Sequence, residues 1–374
     1  MVDGDLALSI ACFRRIVNLN LSNCPNLTHV DLNHRESNIN TLNFDNCPRL
    51  KDLYLPNNYY LRNLNLNNCI SLDRLAPSIG PQLYNRNLNR LNLNNCINLS
   101  PMHYRNLITQ NINFLQRLDL NFNNPLDPKV VNLQQEFEYI IVNHLLVLTT
   151  RNIQTSCNII RNLSINNIPN INIANISLLN NLTSLKINKS INLYNFDSLS
   201  QLNLNVLHIT SCKVVNDNIL PIISNFRNLT ELNLSQTEVT NNIITILNRF
   251  PNLIYLDLSY TRIRDLSMLR NNANNPSLPN MPDFILSNTQ TPHLQTLILH
   301  HTNINYNNLT ELYTIGTLQV LNISDCKYIT NDIITHINRI PNLIYLNLVN
   351  TTLKFGDIAR IRQHPRQQRL NVIT

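Results

Sequence analysis

Leu19-Asn20-Leu21-Ser22-Asn23-Cys24 returns as Leu42-Asn43-Phe44-Asp45-Asn46-Cys47, then as Leu64 to Cys69 and Leu91 to Cys96. Much later come Leu207-His208-Ile209-Thr210-Ser211-Cys212 and Leu321-Asn322-Ile323-Ser324-Asp325-Cys326. Six of the eight cysteines hold the last place of this phrase. A fixed phrase returning at intervals of roughly 20 to 30 residues marks a stack of supersecondary units, not one globular core. A solenoid adds turns without enlarging its core, so the length of 374 residues does not demand several domains.

The full phrase reads Leu-x-x-Leu-x-Leu-x-x-(Cys/Asn/Thr). Strands of this form centre on Leu19, Leu42, Leu64, Leu91, Leu118, Leu163, Leu185, Leu207, Leu232, Leu256, Leu297, Leu321 and Leu346, with a partial one at Leu370-Asn371-Val372. Leucine alternating with polar residues is the period of a half-buried strand, leucine inward and its neighbours outward. On these residues nearly the whole chain resembles the leucine-rich-repeat superfamily. The resemblance implies an α/β solenoid: an arc of about 13–14 turns with a concave parallel β-sheet and short convex helices, mainly in the C-terminal half.

The ninth position is where the chain leaves the strand and turns, and a small side chain able to hydrogen-bond inward suits it. Cys24, Cys47, Cys69 and Cys96 hold it first, Thr237, Thr261, Thr302 and Thr351 later, with Cys212 and Cys326 between. Exchange of Cys for Thr points to interior packing rather than metal binding, since free Cys behaves as a small buried hydrophobe. Spacings of 23, 22 and 27 residues are unlike those of zinc ligands.

Repeat length divides the chain. After an N-terminal cap at 1–15, where Leu6, Ile10 and Phe13 suit a short helix begun by Asp3 or Asp5, short repeats occupy 16–120. Up to residue 75 a Leu-x-Leu pair recurs about every 11 residues (Leu19-Leu21, Val30-Leu32, Leu42-Phe44, Leu53-Leu55, Leu64-Leu66). Eleven residues cannot close a turn, so each coil takes two half-turns with extended segments on both faces. Residues 121–159 read as an irregular helical insertion opened by Asp127-Pro128. Longer repeats of about 25 residues fill 160–374, with helices expected at 219–226, 241–250 and 331–340 and a Pro/Asn-rich loop at 265–292. The chain stops inside a strand phrase with no cap visible; a monomer is expected, with end-to-end association there as the alternative.

Composition narrows function by exclusion. Only 4 Gly and no Trp argue against phosphate-cradling loops, and His-Glu-x-x-His and Cys-x-x-Cys are absent. Adjacent His300 and His301 point in different directions and make a poor metal site. No catalytic, cofactor or metal residue is assigned. Asn makes up about a fifth of the chain, a bias typical of an AT-rich genome, viral or protist. The N-terminus is acidic where an export signal needs positive charge, and the longest apolar run, 139–148, is too short for a bilayer. These features place the chain in the cytoplasm or nucleus, without membrane attachment. The basic segment 354–369 reads as a solvated coil.

Outward positions of the phrase then define the candidate surface. Asn20, Asn43, Asn65 and Asn92 form an Asn ladder, read as compositional. Arg62, Arg90, Arg117, Arg161 and Lys186 form a basic stripe suited to acidic protein or phosphate. Towards the C-terminus the face becomes apolar and aromatic with Ile254, Tyr255, Tyr260, Ile298, Val320, Ile344 and Tyr345, the composition of a protein-binding hot spot. The expected function is a non-enzymatic interaction scaffold with an unidentified protein partner. The longer repeats, notably Cys326 to Ile334, resemble the cysteine-containing subclass typical of F-box receptors, though no F-box is recognisable. That resemblance implies the first alternative, a substrate adaptor of a ubiquitin ligase. The second alternative, ranked below a protein partner, is RNA or phosphate binding through the Arg stripe.

Overall fold

The computed structural model describes residues 4–7, 15–32, 37–55, 60–77, 87–111, 114–121, 160–167, 170–177, 179–266, 293–305, 309, 312, 315–363 and 370–374. The chain divides into two compact units, Met1–Ser190 and Ile191–Thr374.

The first unit opens with β1 (Gly4–Ala7), β2 (Asn18–Asn20), β3 (Leu27–Asp31), β4 (Thr41–Asn43), β5 (Asp52–Leu55), β6 (Asn63–Asn65) and β7 (Arg74–Pro77). It continues through β8 (Arg90–Asn92), α1 (Pro101–Asn111), β9 (Arg117–Asn121), β10 (Asn162–Asn166), β11 (Asn170–Asn172), α2 (Ile173–Ile176) and β12 (Ser184–Asn188). Alternate strands go to different sheets. β2, β4, β6, β8, β9, β10 and β12 lie side by side in one sheet, and β1, β3, β5 and β7 form another, with parallel pairing in both. This is the eleven-residue alternation made physical: each coil crosses the core twice. Leu42 and Phe44 bury from one sheet, Leu53 and Leu55 from the other.

The second unit holds β13 (Asn192–Tyr194), β14 (Val206–Thr210), α3 (Leu220–Ile223), β15 (Glu231–Asn233), β16 (Tyr255–Asp257) and β17 (Thr296–Ile298). After these come β18 (Val320–Asn322), α4 (Ile333–Ile337), β19 (Tyr345–Asn347), α5 (Phe355–Gln363) and β20 (Asn371–Ile373). From β14 to β20 the strands pair in parallel and in sequence order, each leucine opposite the next, as in Leu232 with Leu256 and Leu297 with Leu321, until Leu346 faces Val372. Together the two units show the α/β leucine-rich-repeat fold. Every strand centre named from the sequence is a strand, including the partial one at Val372.

The turn after each strand obeys one rule. The eighth residue of the phrase adopts a left-handed conformation in Asn23, Asn46, Asn68, Asn95, Asn167, Lys189, Ser211, Gln236, Tyr260, His301, Asp325 and Asn350. That geometry turns the backbone N–H toward the next coil, where Asn46 donates to the Asn67 carbonyl and Gln236 to the Ser259 carbonyl, both at 2.8 Å. The sheet's hydrogen bonding thus continues past the strand. Asn tolerates this conformation better than most residues, which accounts for its prevalence there.

Several local expectations are corrected. Residues 4–7 form β1, paired with β3, where a capping helix was expected; strand pairing at the sheet edge prevails over a three-residue apolar pattern. The helix at 241–250 is a 3₁₀ helix over Asn241–Arg249, and that at 219–226 is a 3₁₀ turn, Asp217–Ile219, running into α3. α4 spans Ile333–Ile337, well inside 331–340. The β-branched Ile and Thr of these segments weaken regular α-helix, and 3₁₀ geometry covers more length per residue. Residues 355–363 of the basic tail form α5 rather than coil. α1 was not anticipated: Ser100 caps it, its hydroxyl 3.4 Å from the His103 N–H, and Pro101 occupies its first position. The helix proposed from Asp127 and nearly all of the 265–292 loop lie outside the described residues. No helix among the described residues is long and apolar enough to cross a membrane.

Candidate protein-interaction face

The side of the first unit's larger sheet that faces away from the core is lined with amides that satisfy one another. The Asn20 side-chain oxygen accepts from the Ser22 N–H at 3.1 Å and from Asn43 Nδ2 at 3.0 Å. Asn43 repeats this with the Asp45 N–H at 3.1 Å and Asn65 Nδ2 at 2.9 Å. Asn65 and Asn92 accept from the Asn67 and Asn94 N–H groups, each at 3.1 Å. Further ladders join Asn46 to Asn23 at 2.9 Å and Asn95 to Asn68 at 2.5 Å. The Asn ladder read as compositional is a structural device: each amide caps its own turn, and Asn20, Asn43 and Asn65 are also tied to one another across coils.

The basic residues of this unit do not form one row. Arg62 and Arg161 hold the second position of the phrase, Arg90 and Arg117 the third, Lys186 the fifth. Arg90 and Arg117 alone of the five are register partners. The Arg117 Nε lies 2.7 Å from an Asp119 carboxylate oxygen, which offsets the repulsion of its neighbour. Arg62 donates to the Asn87 carbonyl at 3.1 Å and is half-buried. Arg90, Arg161 and Lys186 are exposed.

The corresponding face of the second unit has a different chemistry. Across β15 to β19 the third position runs Glu231, Tyr255, Thr296, Val320, Tyr345 in direct register. Tyr255, Val320 and Tyr345 are half-buried, as is Ile298 at the fifth position. Ile254 and Ile344, at the second position, are 40% and 48% exposed. Adjacent strands lie about 4.8 Å apart, so the two tyrosines stand about 14 Å apart with Thr296 and Val320 between them.

Polar groups fix the aromatic rings. The Tyr255 hydroxyl points to a carboxylate oxygen of Asp257 at 3.4 Å, and Asn233 Nδ2 donates to the same oxygen at 3.1 Å. The other Asp257 oxygen accepts from the Ser259 N–H at 2.9 Å and hydroxyl at 2.6 Å. Burial, then the Asp257 and Glu231 carboxylates, push the Tyr255 phenol up to about 12. His208 Nε2 lies 3.3 Å from a Glu231 carboxylate oxygen on the neighbouring strand.

Tyr260 belongs to a second cluster, at the turn rather than on the strand. Its ring is 44% exposed, stacks on His301 with centroids 4.6 Å apart, and meets His300 edge-on at 4.8 Å. His300 bridges the coils, its Nε2 2.9 Å from the Tyr260 hydroxyl and its Nδ1 2.8 Å from the Ser324 hydroxyl and 3.2 Å from Asp325. Glu231, Asp257, Asp325 and His208 were not singled out in the sequence. Their common signal was available: all occupy outward positions of the phrase beside the tyrosines.

Among the described residues no group of three or more His, Cys, Asp or Glu side chains could hold a metal ion. Cys47, Cys69, Cys96, Cys212 and Cys326 are buried free thiols. Desolvation pushes the Cys96 thiol up to about 12 and raises Cys69 as well, so neither is a nucleophile near neutral pH.

No family model matches the sequence, and no curated protein matches it. Solved structures of repeat proteins are similar in part. Internalin C2 of Listeria monocytogenes is 22% identical with a TM-score of 0.45, covering 59% of this chain and 83% of that one. The internalin inlF of the same organism is 14% identical, with a TM-score of 0.46 and coverage of 96% and 87%. A leucine-rich-repeat protein of Leptospira interrogans is 18% identical, with a TM-score of 0.47 over all of both chains.

Proposed function

We propose that the protein is a non-enzymatic interaction scaffold that binds a protein partner on the outward face of β15–β19. The observation that carries this is the contrast between the outward strand positions of the two units, built on one phrase. In the first unit several outward amides bond to one another along the sheet, which leaves that surface polar. In the second unit the same positions present Tyr255, Val320 and Tyr345 in one row, flanked by Ile254, Ile298 and Ile344. Core burial does not require these side chains, because strand alternation points them away from the leucines. Tyrosine and isoleucine on a rigid sheet offer apolar contact area at low entropic cost, the makeup of an interface centre. A cytoplasmic or nuclear setting suits this reading, since the buried thiols stay unpaired.

The ubiquitin-ligase adaptor reading draws on the cysteines, and their inward hydrogen bonds already account for them. Phosphate or RNA binding has its best support in the exposed Arg90 beside Arg117. The test is affinity capture from the native cell with mass spectrometry, comparing the natural chain with the Tyr255→Ala/Tyr345→Ala variant. Loss of the main partner with an unchanged melting transition supports the scaffold; undiminished capture by the folded variant defeats it. Recovery of a cullin-type scaffold favours the adaptor. Capture of nucleic acid that collapses with salt and with Arg90 and Arg117 substitution favours the last reading.

A further inference from the structure

We propose that the partner segment docking on β14–β19 is basic, an extended stretch carrying Lys or Arg between apolar residues. This inference rests on the scaffold reading and specifies its partner. The outward positions of these six strands and their turns contain Glu231, Asp257 and Asp325 and no Lys or Arg. That is notable in a chain of net charge +7, whose first unit places Arg62, Arg90, Arg117, Arg161, Lys186 and Lys189 on the equivalent face and turns, beside Asp45 and Asp119. Cations in this stretch lie outside these positions, among them Lys213, Arg227, Arg262 and Lys327, and Arg262 pairs with Glu238. The acidic groups are interleaved with the aromatic ones: Glu231 is the register partner of Tyr255, and Asp257 lies two residues beyond it. The Glu231 side chain is 44% exposed and that of Asp325 30%, so each retains an open edge beside its histidine.

An ammonium or guanidinium entering this face meets a carboxylate and a tyrosine ring together. The methylene stem lies on Ile254 or Tyr255, and the charged head reaches Glu231 or Asp257. A peptide with acidic side chains meets three carboxylates and no counter-charge. An amide-bearing peptide gains the apolar contacts without the ionic ones.

Fluorescence anisotropy on the full chain tests this with three labelled twelve-residue probes of alternating Leu with Lys, Glu or Gln. The Leu–Lys probe is expected to bind at least about fivefold tighter than the Leu–Gln probe, with the preference fading as salt rises. The Glu231→Gln/Asp325→Asn variant keeps shape and hydrogen-bonding capacity and should erase that preference. Equal binding of all three probes, or a preference unchanged in this variant, overturns the proposal. Those results leave the scaffold standing if the tyrosine variant still loses its captured partner. Loss of neither overturns both. A variant whose melting transition has dropped is replaced by the single Glu231→Gln, for which the same outcomes apply.

Discussion

Cys326 and Thr302 occupy the same position in successive coils and donate to one acceptor, the Leu299 carbonyl, at 3.2 and 2.7 Å. Thr reaches the carbonyl of its own coil, as Thr237 does to Leu234 at 2.5 Å and Thr261 to Leu258 at 2.6 Å. Cys47, Cys69, Cys96 and Cys326 reach back one coil, as Cys47 does to Leu21 at 3.0 Å and Cys69 to Phe44 at 3.2 Å, whereas Cys212 donates to Thr210 of its own coil at 3.1 Å. Both satisfy a carbonyl exposed where the strand ends, by different routes. Cys69→Ala is therefore expected to cost about 1–2 kcal/mol from lost packing and a lost hydrogen bond. Cys69→Thr should cost less, because the Leu66 carbonyl of its own coil can accept. Urea unfolding of the two variants measures this; Thr faring no better than Ala would contradict the shared role.

The same geometry governs thiol chemistry. Cys24 is half-buried, whereas the other five described cysteines are buried. Brief alkylation of the native protein near pH 8 should modify Cys24 and spare Cys69 and Cys96, and denaturant should expose all of them. Peptide mapping by mass spectrometry reads the outcome. The raised thiol pKa values also set a sign. Above the ordinary thiol value of 9.0 the unfolded chain loses protons that Cys96 keeps until about 12. The folded state binds more protons in that window, so stability is intact below it and falls as pH rises through it.

The strands were legible because each one carries inward leucines at fixed places, and a one-residue slip would have turned them all outward. The cysteines were legible as interior groups because Thr replaces them. The asparagines were misjudged, since genome bias and a structural demand produce the same excess. Their regular return at the fifth and eighth positions was the distinguishing sign. The basic residues do fall on consecutive strands, but one face contains several rows, and Arg62, Arg90 and Lys186 stand in different ones. The Glu231–Tyr255 and His300–Tyr260 contacts depend on which strands become neighbours, and that follows only once the register is applied.

Tyr260 is a bulky residue in a left-handed turn, with φ of 54°, where the first unit uses Asn at every such described turn but that of Lys189. Such a residue carries conformational strain that persists where other contacts hold it. Tyr260→Asn should raise stability by about 0.5–1 kcal/mol through easier backbone geometry, less whatever the His301 stacking contributes. The same change should weaken partner capture, because the exposed ring is gone. Paired melting and capture measurements separate the effects. A variant that is less stable than the natural chain would show that the stacking outweighs the strain.

Tyr255 supplies the most direct probe of the face. In the unfolded chain its phenol ionises near 10.0, whereas burial, assisted by Asp257 and Glu231, pushes it up to about 12 in the folded protein. Between these values the folded state holds a proton that the unfolded state has lost. Its contribution to stability is therefore complete below pH 10 and disappears as pH rises through about 12. Asp257→Asn removes a charge and leaves the burial, so the phenol pKa should fall without returning to its unfolded value. Phenolate absorbance of each chain, less that of its Tyr255→Phe counterpart, isolates this one titration. A pKa unchanged in Asp257→Asn would mean that burial and Glu231 set it, and that the Asp257 carboxylate exerts no field at the ring where a basic partner is proposed to dock.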